Sequence, residues 1–214
     1  MAAAHASSAH PLLSGIYAIV NDTHPDPVAL TAAVLAGGAR IVQYRAKRYF
    51  NPAHAFAIRA LTGESGALFL LNDRWHDLER FCADGAHVGP DDAPFEALPA
   101  IRARIGTRLL GVSCGTQREA QSAQASGADY LGVGAVFATA SKNDAGPPIG
   151  MEGLRAIVRA SALPVAAIGG ITLQEVPQVR AAGAAMAAVI SAISGAPDPL
   201  AATAALVRAW GACA

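Results

Sequence analysis

Short apolar runs alternate with longer amphipathic segments along the chain, about eight times. The apolar runs carry few charges, which is typical of strands buried on both faces of a parallel sheet. The segments between them begin near proline or a turn residue and end near glycine, as helices do. The pattern predicts strands over 16–20, 39–44, 68–71, 85–88, 108–112, 129–133, 163–168 and 185–190. It predicts helices over 27–37, 52–61, 75–81, 95–104, 118–126, 151–160, 173–182 and 199–210.

Eight strand–helix units in 214 residues have the size and order of an α/β fold, a single (β/α)8 TIM barrel. An open, doubly wound sheet is the alternative, but no Gly-x-Gly-x-x-Gly sequence follows the first strand. A hydrophobic fraction of 53% suits one large core. We therefore predict a flexible leader over residues 1–14 and one barrel domain over residues 15–214.

Charge and cysteine content exclude several classes of function. Sixteen basic and sixteen acidic residues cancel, so neither nucleic acid nor an anionic membrane is expected as a partner. The apolar runs end well before the ~20 residues that a membrane-spanning helix requires. Three widely spaced cysteines without a C-x-x-C motif suit reduced thiols, which predicts a cytoplasmic protein. The oligomeric state stays open, and a homo-oligomer is one option.

Cationic side chains follow the predicted strands at their carboxyl ends, where a barrel binds its ligands. Gln43, Arg45 and Lys47 alternate along the chain, so all three can point to the same side. Arg45, Lys47 and Lys142 would repel one another in a shared cavity unless an anion lies between them. They therefore predict a polyanionic ligand such as a diphosphate, with solvated surface charge as the alternative.

Two carboxylates at the same edge predict a metal site. Asp73 and Asp92 follow the third and fourth strands. Mg²⁺ is usually held by one or two carboxylates together with substrate phosphates, so Mg²⁺ is the expected cofactor. For Asp73 alone, a helix N-cap is the alternative role. His87 lies within a strand and belongs to no Cys/His cluster, so we expect a core or supporting histidine rather than a metal ligand.

A second anion site is predicted after the seventh and eighth strands, where barrels commonly bind phosphate through backbone N–H groups. Gly169, Gly170 and Ser191 occupy these positions, and a tight turn is the alternative explanation for the two glycines. One cationic site for a diphosphate and one neutral site for a monophosphate indicate a condensation that releases diphosphate.

Taken in order, these strand-end motifs resemble those of the thiamine phosphate synthase family, over about residues 16–199. They stand at 42–47 (VQYRAK), 72–74 (NDR), 84–89 (DGAHVG), 111–113 (GVS), 127–130 (GADY), 132–134 (GVG), 139–142 (TASK) and 168–171 (IGGI). The resemblance implies a TIM barrel that joins 4-amino-2-methyl-5-hydroxymethylpyrimidine diphosphate to a thiazole phosphate. Thiamine phosphate and diphosphate are the implied products, and Mg²⁺ is the implied cofactor.

The resemblance also implies a role for each matching residue. Around the diphosphate it places Arg45, Lys47, Asn72, Ser113 and Lys142, of which Arg45, Ser113 and Lys142 are the implied catalytic residues. On the metal it places Asp73 and Asp92, and on the pyrimidine Gln43. Around the thiazole phosphate substrate it places Thr139, Ser141, Gly170, Ile190 and Ser191. The implied chemistry is dissociative, since diphosphate leaves before the thiazole nitrogen attacks, so Cys114 is not expected to act as a nucleophile.

Three positions depart from the family pattern. Pro90 stands where Gln is common, Gly115 where His is frequent, and Ser141 where Thr is usual, but none of these changes removes a diphosphate or metal ligand. A thiazole tautomerase is one alternative function, although its histidine would fall near Gly115. A non-catalytic phosphate-binding barrel is the other.

Overall fold

Eight parallel strands close into a barrel in sequence order, which confirms the predicted (β/α)8 fold. The structure, a computed structural model, describes residues 10–139, 141 and 147–212. The strands are β1 (Gly15–Asn21), β2 (Ile41–Arg45), β3 (Leu68–Asn72), β4 (Gly85–Val88), β5 (Leu109–Cys114), β6 (Tyr130–Val133), β7 (Val165–Ile168) and β8 (Met186–Val189). Most of the predicted leader and the candidate residue Lys142 lie outside the described residues.

The barrel closes because β8 pairs in parallel with β1, where Gly15 lies opposite Met186. Each remaining strand pairs with the next one along the chain. All eight predicted strands are therefore confirmed, with ends that differ by a few residues. One of these differences matters for the site: β5 continues to Cys114, so Ser113 belongs to the strand and not to the following loop.

Helices lie between the strands on the outside of the barrel. They are α1 (Pro27–Ala36), α2 (Pro52–Ser65), α3 (Leu98–Ile105), α4 (Gln117–Ala125), α5 (Gly150–Ala160), α6 (Val176–Ala181), α7 (Ser191–Ser194) and α8 (Pro199–Gly211). Among the residues described, no helix is long and apolar enough to cross a membrane.

The predicted helix over residues 75–81 is wrong. Only a 3₁₀ turn, Trp75–Asp77, forms there, and turns follow it. Leu78 and Phe81 are buried against the barrel, and the chain reaches β4 at Gly85 a few residues later. The connection is too short for a helix that would bury both side chains and still return to the sheet.

The core has two layers. Apolar residues between the sheet and the helices form the larger one, and Phe69, Leu71 and Val88 belong to it. The smaller layer fills the barrel interior below the carboxyl ends of the strands and includes Tyr17, Ile41, Leu70, Leu109, Tyr130 and Met186. This interior layer closes the barrel from below, so a ligand can enter only from the carboxyl ends.

Two aspartates tie neighbouring elements together at the amino ends of the strands. Asp84 Oδ2 accepts hydrogen bonds from the backbone N–H of Phe69 at 2.8 Å and from Arg59 Nη1 at 3.2 Å. Asp129 Oδ2 accepts from the backbone N–H of Leu110 at 2.7 Å and from Arg102 Nη2. Each carboxylate thus joins the strand before it to a helix through a paired arginine.

Candidate active site

A cavity of about 310 Å³ opens at the carboxyl ends of the strands. Every sequence-predicted site residue that the structure describes contributes to its lining: Gln43, Arg45, Lys47, Asn72, Asp73, Asp92, Ser113, Thr139, Ser141, Gly170, Ile190 and Ser191. They come from seven different strand ends or the loops that follow them, so the barrel itself brings them together. Lys142 lies outside the described residues.

Lys47 bridges two carboxylates at one side of the mouth. Its Nζ lies 2.6 Å from Asp73 Oδ2 and 2.8 Å from Asp92 Oδ2. Asn72 Nδ2 also donates to Asp73 Oδ2. The N-cap role considered for Asp73 is not observed in the described residues, since Arg74 precedes the 3₁₀ turn and no side-chain cap is formed. Asp73 faces the cavity instead.

The charges in this cluster are unequal, since one ammonium serves two carboxylates. Burial raises the pKa of the Asp73 carboxyl, and the bonds from Lys47 offset this only in part because the charge of Asp92 also raises it. Burial acts to lower the pKa of Lys47, but the two carboxylates outweigh it and the pKa is raised. Lys47 is therefore a fixed cation, and the cluster retains a negative excess.

Arg45 extends the charged side of the cavity towards β1. Its Nη1 lies 3.4 Å from Asn21 Oδ1 at the end of that strand, which leaves most of the guanidinium available to a ligand. Gln43, two residues earlier on β2, is buried and also lines the cavity. The alternation predicted for residues 43, 45 and 47 is thus confirmed by their shared position.

A chain of hydrogen bonds crosses the barrel interior from Gln43 to Ser113. Gln43 Nε2 donates to the Tyr17 hydroxyl at 2.7 Å, and the Tyr17 and Tyr130 hydroxyls lie 2.9 Å apart. The Tyr130 hydroxyl is 3.1 Å from His87 Nδ1, and His87 Nε2 is 3.0 Å from Ser113 Oγ. His87 also lines the cavity, so its ring links Tyr130 to Ser113 at the cavity wall. Sequence reasoning missed both tyrosines because they stand within apolar strand runs.

The opposite side of the mouth is neutral and consists largely of backbone. Gly169 and Gly170 follow β7 with φ angles of 101° and 65°, a region that glycine enters without strain. A Cβ at Gly169 would lie 2.6 Å from Ala135 Cα, so the turn packs directly on the segment after β6. Ser191 begins α7 beside this turn. Both sides of the cavity thus match the two predicted anion sites in position.

Cys114 lines the cavity with a protonated thiol, whereas Arg74 lies beside the cavity. Burial raises the pKa of the Cys114 thiol to about 12, and the charge of Glu119 adds to this, so the sulfur stays protonated at neutral pH. This agrees with the expectation that Cys114 is not a nucleophile. Arg74 pairs with Asp77, and its Cζ lies 4.0 Å from the centre of the Phe50 ring. It packs beside the site rather than lining it.

Residues 16–193 match the family model described as thiamine monophosphate synthase. A thiamine-phosphate synthase of Moorella thermoacetica is 48% identical over 179 residues, which cover 81% of this chain and 83% of that protein. A thiamine-phosphate synthase of Caldivirga maquilingensis is 39% identical over 206 residues, 93% of this chain and 98% of that protein. The solved thiamine phosphate pyrophosphorylase of Pyrococcus furiosus is 35% identical with a TM-score of 0.86, covering 94% of this chain and 97% of that one.

Proposed function

This chain belongs to the thiamine monophosphate synthase family, and from that premise we propose how its cavity performs the reaction. The enzyme condenses 4-amino-2-methyl-5-hydroxymethylpyrimidine diphosphate with 4-methyl-5-(2-phosphoethyl)thiazole, giving thiamine phosphate and diphosphate in thiamine biosynthesis. Neither a thiazole tautomerase nor a non-catalytic phosphate-binding barrel is favoured by any observation on the site.

The division of the cavity into a charged and a neutral side supports this assignment best. Arg45, Lys47 and Asn72 offer cationic and amide donors from two adjacent strands, which suits the diphosphate of the first substrate. Gly170 and Ser191 offer backbone and hydroxyl groups on the other side, which suits the phosphate of the thiazole. The two substrates would then meet across the mouth, with Thr139 and Ser141 beside the thiazole.

Mg²⁺ fits the acidic cluster, and we propose that Asp73 and Asp92 hold it. The described residues contain no group of three or more His, Cys, Asp or Glu side chains that could form a closed metal site. Two carboxylates that share one ammonium nevertheless suit Mg²⁺, which commonly takes one or two carboxylates and completes its shell with phosphate oxygens and water. Bound there, Mg²⁺ would neutralise part of the diphosphate charge.

In the rest of the reaction, the protein stabilises the charge of the leaving diphosphate and positions the thiazole. In the proposed course, the bond between the pyrimidine methylene carbon and the diphosphate oxygen breaks, and the oxygen keeps the electron pair. Arg45, Lys47 and Ser113 donate to the charge that develops on the leaving group. The cavity holds the thiazole nitrogen close to the cationic methylene carbon, which it attacks. No protein nucleophile takes part, in agreement with the protonated state of Cys114.

Three further points stay predictions of the sequence. The isolated cysteines favour a cytoplasmic location, and homo-oligomer formation stays open. Lys142, which lies outside the described residues, stays a predicted ligand of the diphosphate.

Replacement of Asp73 by asparagine tests the assignment. Wild type with Mg²⁺ and both substrates is expected to form thiamine phosphate, and Asp73→Asn to lose about 100-fold or more of this activity. Asparagine tolerates the positive φ of 61° at this position, so the backbone is preserved. Calorimetry with Mg²⁺ and inorganic diphosphate provides a second measurement that does not depend on turnover.

Asp26→Asn is the matched control, because Asp26 caps α1 away from the cavity and asparagine caps a helix equally well. This variant should turn over at the wild-type rate. Full activity in Asp73→Asn would refute the metal assignment, and an inactive wild type would refute the synthase reaction itself.

A further inference from the structure

The hydrogen-bonded chain across the barrel interior joins two parts of the cavity that the reaction uses separately. Gln43 at one end lines the region assigned to the pyrimidine, and Ser113 at the other end lines the region assigned to the diphosphate. Between them stand Tyr17, Tyr130 and His87, each bonded to its neighbour in the chain at 2.7 to 3.1 Å. We call these five residues the polar chain.

Two neighbouring strands make room for the polar chain. A Cβ at Gly111 on β5 would lie 2.1 Å from Tyr130 Cζ and 2.5 Å from His87 Nδ1. A Cβ at Gly132 on β6 would lie 2.6 Å from His87 Cε1. Any other residue at these inward positions would displace the two rings. The two glycines thus leave room for the polar groups of Tyr130 and His87 in the barrel interior. Burial of these groups is tolerated because they form hydrogen bonds with one another.

The hydrogen bonds of the polar chain can run in either of two directions, and the bond from Gln43 favours one of them. Gln43 Nε2 can only donate, so the Tyr17 hydroxyl accepts from it. Either tyrosine hydroxyl could donate to the other, but the Tyr130 oxygen is the acceptor that the structure offers to the proton of Tyr17, and we take the bond in that direction. Tyr130 then donates to His87 Nδ1, and a neutral imidazole that accepts at Nδ1 carries its proton on Nε2.

The last hydrogen bond of the polar chain, taken in this direction, reaches Ser113. Nε2–H of His87 donates to Ser113 Oγ, so the remaining proton of Ser113 is available to an acceptor in the cavity. If the Gln43 amide turns over, every bond in the chain reverses and Ser113 donates to His87 instead. The orientation of one amide therefore decides whether Ser113 offers a proton or a lone pair to a ligand.

We propose that pyrimidine binding at Gln43 sets the direction of the polar chain and thereby makes Ser113 a hydrogen-bond donor to the departing diphosphate. The inference rests on the proposed function, since the first substrate carries both an amino group and a diphosphate. A bond from the amino group to the Gln43 amide oxygen holds the amide nitrogen towards Tyr17. His87, Tyr130 and Tyr17 are then positioning residues that act through Ser113.

Tyr130 is the residue that best separates this role from direct binding. It is fully buried, and in the described part of the chain it does not belong to the cavity lining. Burial raises the pKa of the Tyr130 hydroxyl well above its ordinary value, and burial raises that of Tyr17 in the same direction. Both phenols therefore stay protonated and serve as relays of hydrogen bonds, not as charged groups.

The test begins with Tyr130→Phe, which keeps the ring and removes the hydroxyl. Its kcat for thiamine phosphate formation should fall about 10- to 100-fold, the effect of losing a hydrogen bond to a charged group. The KM values of both substrates should change by less than about threefold, because Tyr130 touches neither of them. Ser113→Ala should lose a similar factor, and the double variant should lose no more than Ser113→Ala alone.

Tyr44→Phe is the matched control. Tyr44 is equally buried but lies on the outer face of β2, where its hydroxyl is 3.5 Å from His54 Nδ1. This variant should keep the wild-type kcat. If Tyr130→Phe folds poorly in a urea titration, Tyr17→Phe breaks the same polar chain at its other phenol. Additive losses of Tyr130→Phe and Ser113→Ala, or wild-type kcat in both tyrosine variants, would overturn the proposal.

A binding experiment separates failure of this inference from failure of the proposed function. Calorimetry measures the affinity for inorganic diphosphate and Mg²⁺ with and without the free pyrimidine alcohol of the first substrate. The alcohol should raise the affinity for diphosphate about tenfold in wild type and less than twofold in Tyr130→Phe, because coupling between the two sites runs through the polar chain. If the alcohol and diphosphate are coupled but no thiamine phosphate forms, only the synthase reaction is contradicted. If thiamine phosphate forms but the coupling is absent, only the proposed role of the polar chain is contradicted.

Discussion

Aspartates paired with cations stand at both ends of the barrel, and the two ends use them differently. At the amino ends, Asp84 pairs with Arg59 and Asp129 with Arg102, one carboxylate to one guanidinium. Each of these carboxylates also accepts a backbone N–H from the preceding strand. At the carboxyl ends, a single ammonium serves two carboxylates. The amino-end pairs are complete within the protein, whereas the cluster of Lys47, Asp73 and Asp92 retains a negative excess.

The comparison shows that residue type does not separate a structural ion pair from a binding site. The two differ in their location in the barrel and in the balance of positive and negative charge. Arg102 also donates to the carbonyl oxygens of Gly106, Arg108 and Gly127, so its donors are used within the fold. Lys47 is 40% exposed and points into a cavity that a ligand can enter. A barrel can thus change ligands at the mouth while the amino end maintains the fold.

Of the variants Lys47→Met, Asp129→Ala and Arg74→Leu, the first should give the largest effect. Methionine keeps the length of the side chain but removes the charge, so turnover should fall about 100-fold through loss of leaving-group stabilisation. Asp73 and Asp92 would also face each other without an ammonium between them. Addition of Mg²⁺ should therefore raise the melting temperature of this variant more than that of wild type, as differential scanning fluorimetry can measure.

Arg48→Met is the control for the loss of a neighbouring positive charge. In the described structure Arg48 is held through its backbone N–H, which donates to Asp22, and its side chain is exposed outside the cavity. It should keep wild-type turnover and the wild-type response to Mg²⁺. An equal response of Lys47→Met and wild type to Mg²⁺ would argue against a metal at the two carboxylates.

Asp129→Ala should affect stability instead of catalysis. The variant loses the pair with Arg102 and the bond from the Leu110 N–H, so the free energy of unfolding should fall by about 2–3 kcal/mol. The kcat per folded molecule should stay within about twofold of wild type. Urea unfolding and steady-state kinetics on the same preparation measure both.

Glu64→Ala removes an exposed carboxylate from the end of α2 and is the control for Asp129→Ala. Its free energy of unfolding should change by no more than about 0.5 kcal/mol. A tenfold loss of kcat in folded Asp129→Ala would mean that the two ends of the barrel are coupled. It would contradict the assignment of stability to the amino end and of ligand binding to the mouth.

Arg74→Leu should have the smallest effect, although it changes a residue beside the proposed metal site. The pair with Asp77 and the contact with the Phe50 ring are lost, which should cost about 1 kcal/mol of stability. Turnover should be unchanged, because the role of Arg74 is packing. If activity fell more than tenfold, the binding region would have to extend to this side chain.

The fold was predictable because buried parallel strands carry apolar runs that helices rarely imitate at this length. The strand ends then located the site, since all parallel strands of a barrel end at the same edge. The position of Arg45 and Asp73 at the cavity could therefore be predicted without knowledge of their contacts, whereas their roles stay predictions. The 3₁₀ turn at Trp75 could not be predicted, because its length depends on the distance to β4 rather than on its own residues.

The contacts across the barrel interior could not be predicted from the sequence either. Tyr17 and Tyr130 are 113 residues apart, and each stands in a run that predicts only a buried strand. Their hydroxyl groups meet because the stagger of the strands brings inward positions of β1 and β6 to one level. Gly111 and Gly132 were weak signals of this arrangement, since glycine inside a strand often marks the close approach of another group.

The left-handed backbone of Asp73 limits which variants of this chain can persist. With φ at 61°, the position accepts aspartate, asparagine or glycine readily and opposes β-branched or bulky residues. Of the three accepted residues, only aspartate supplies a carboxylate. Glutamate, the usual replacement that preserves charge, would meet the strain of this backbone. The only substitutions that this backbone accepts readily are asparagine and glycine, and both remove the charge. A related chain that lost the carboxylate would therefore keep the barrel, and residue 73 alone would show the loss.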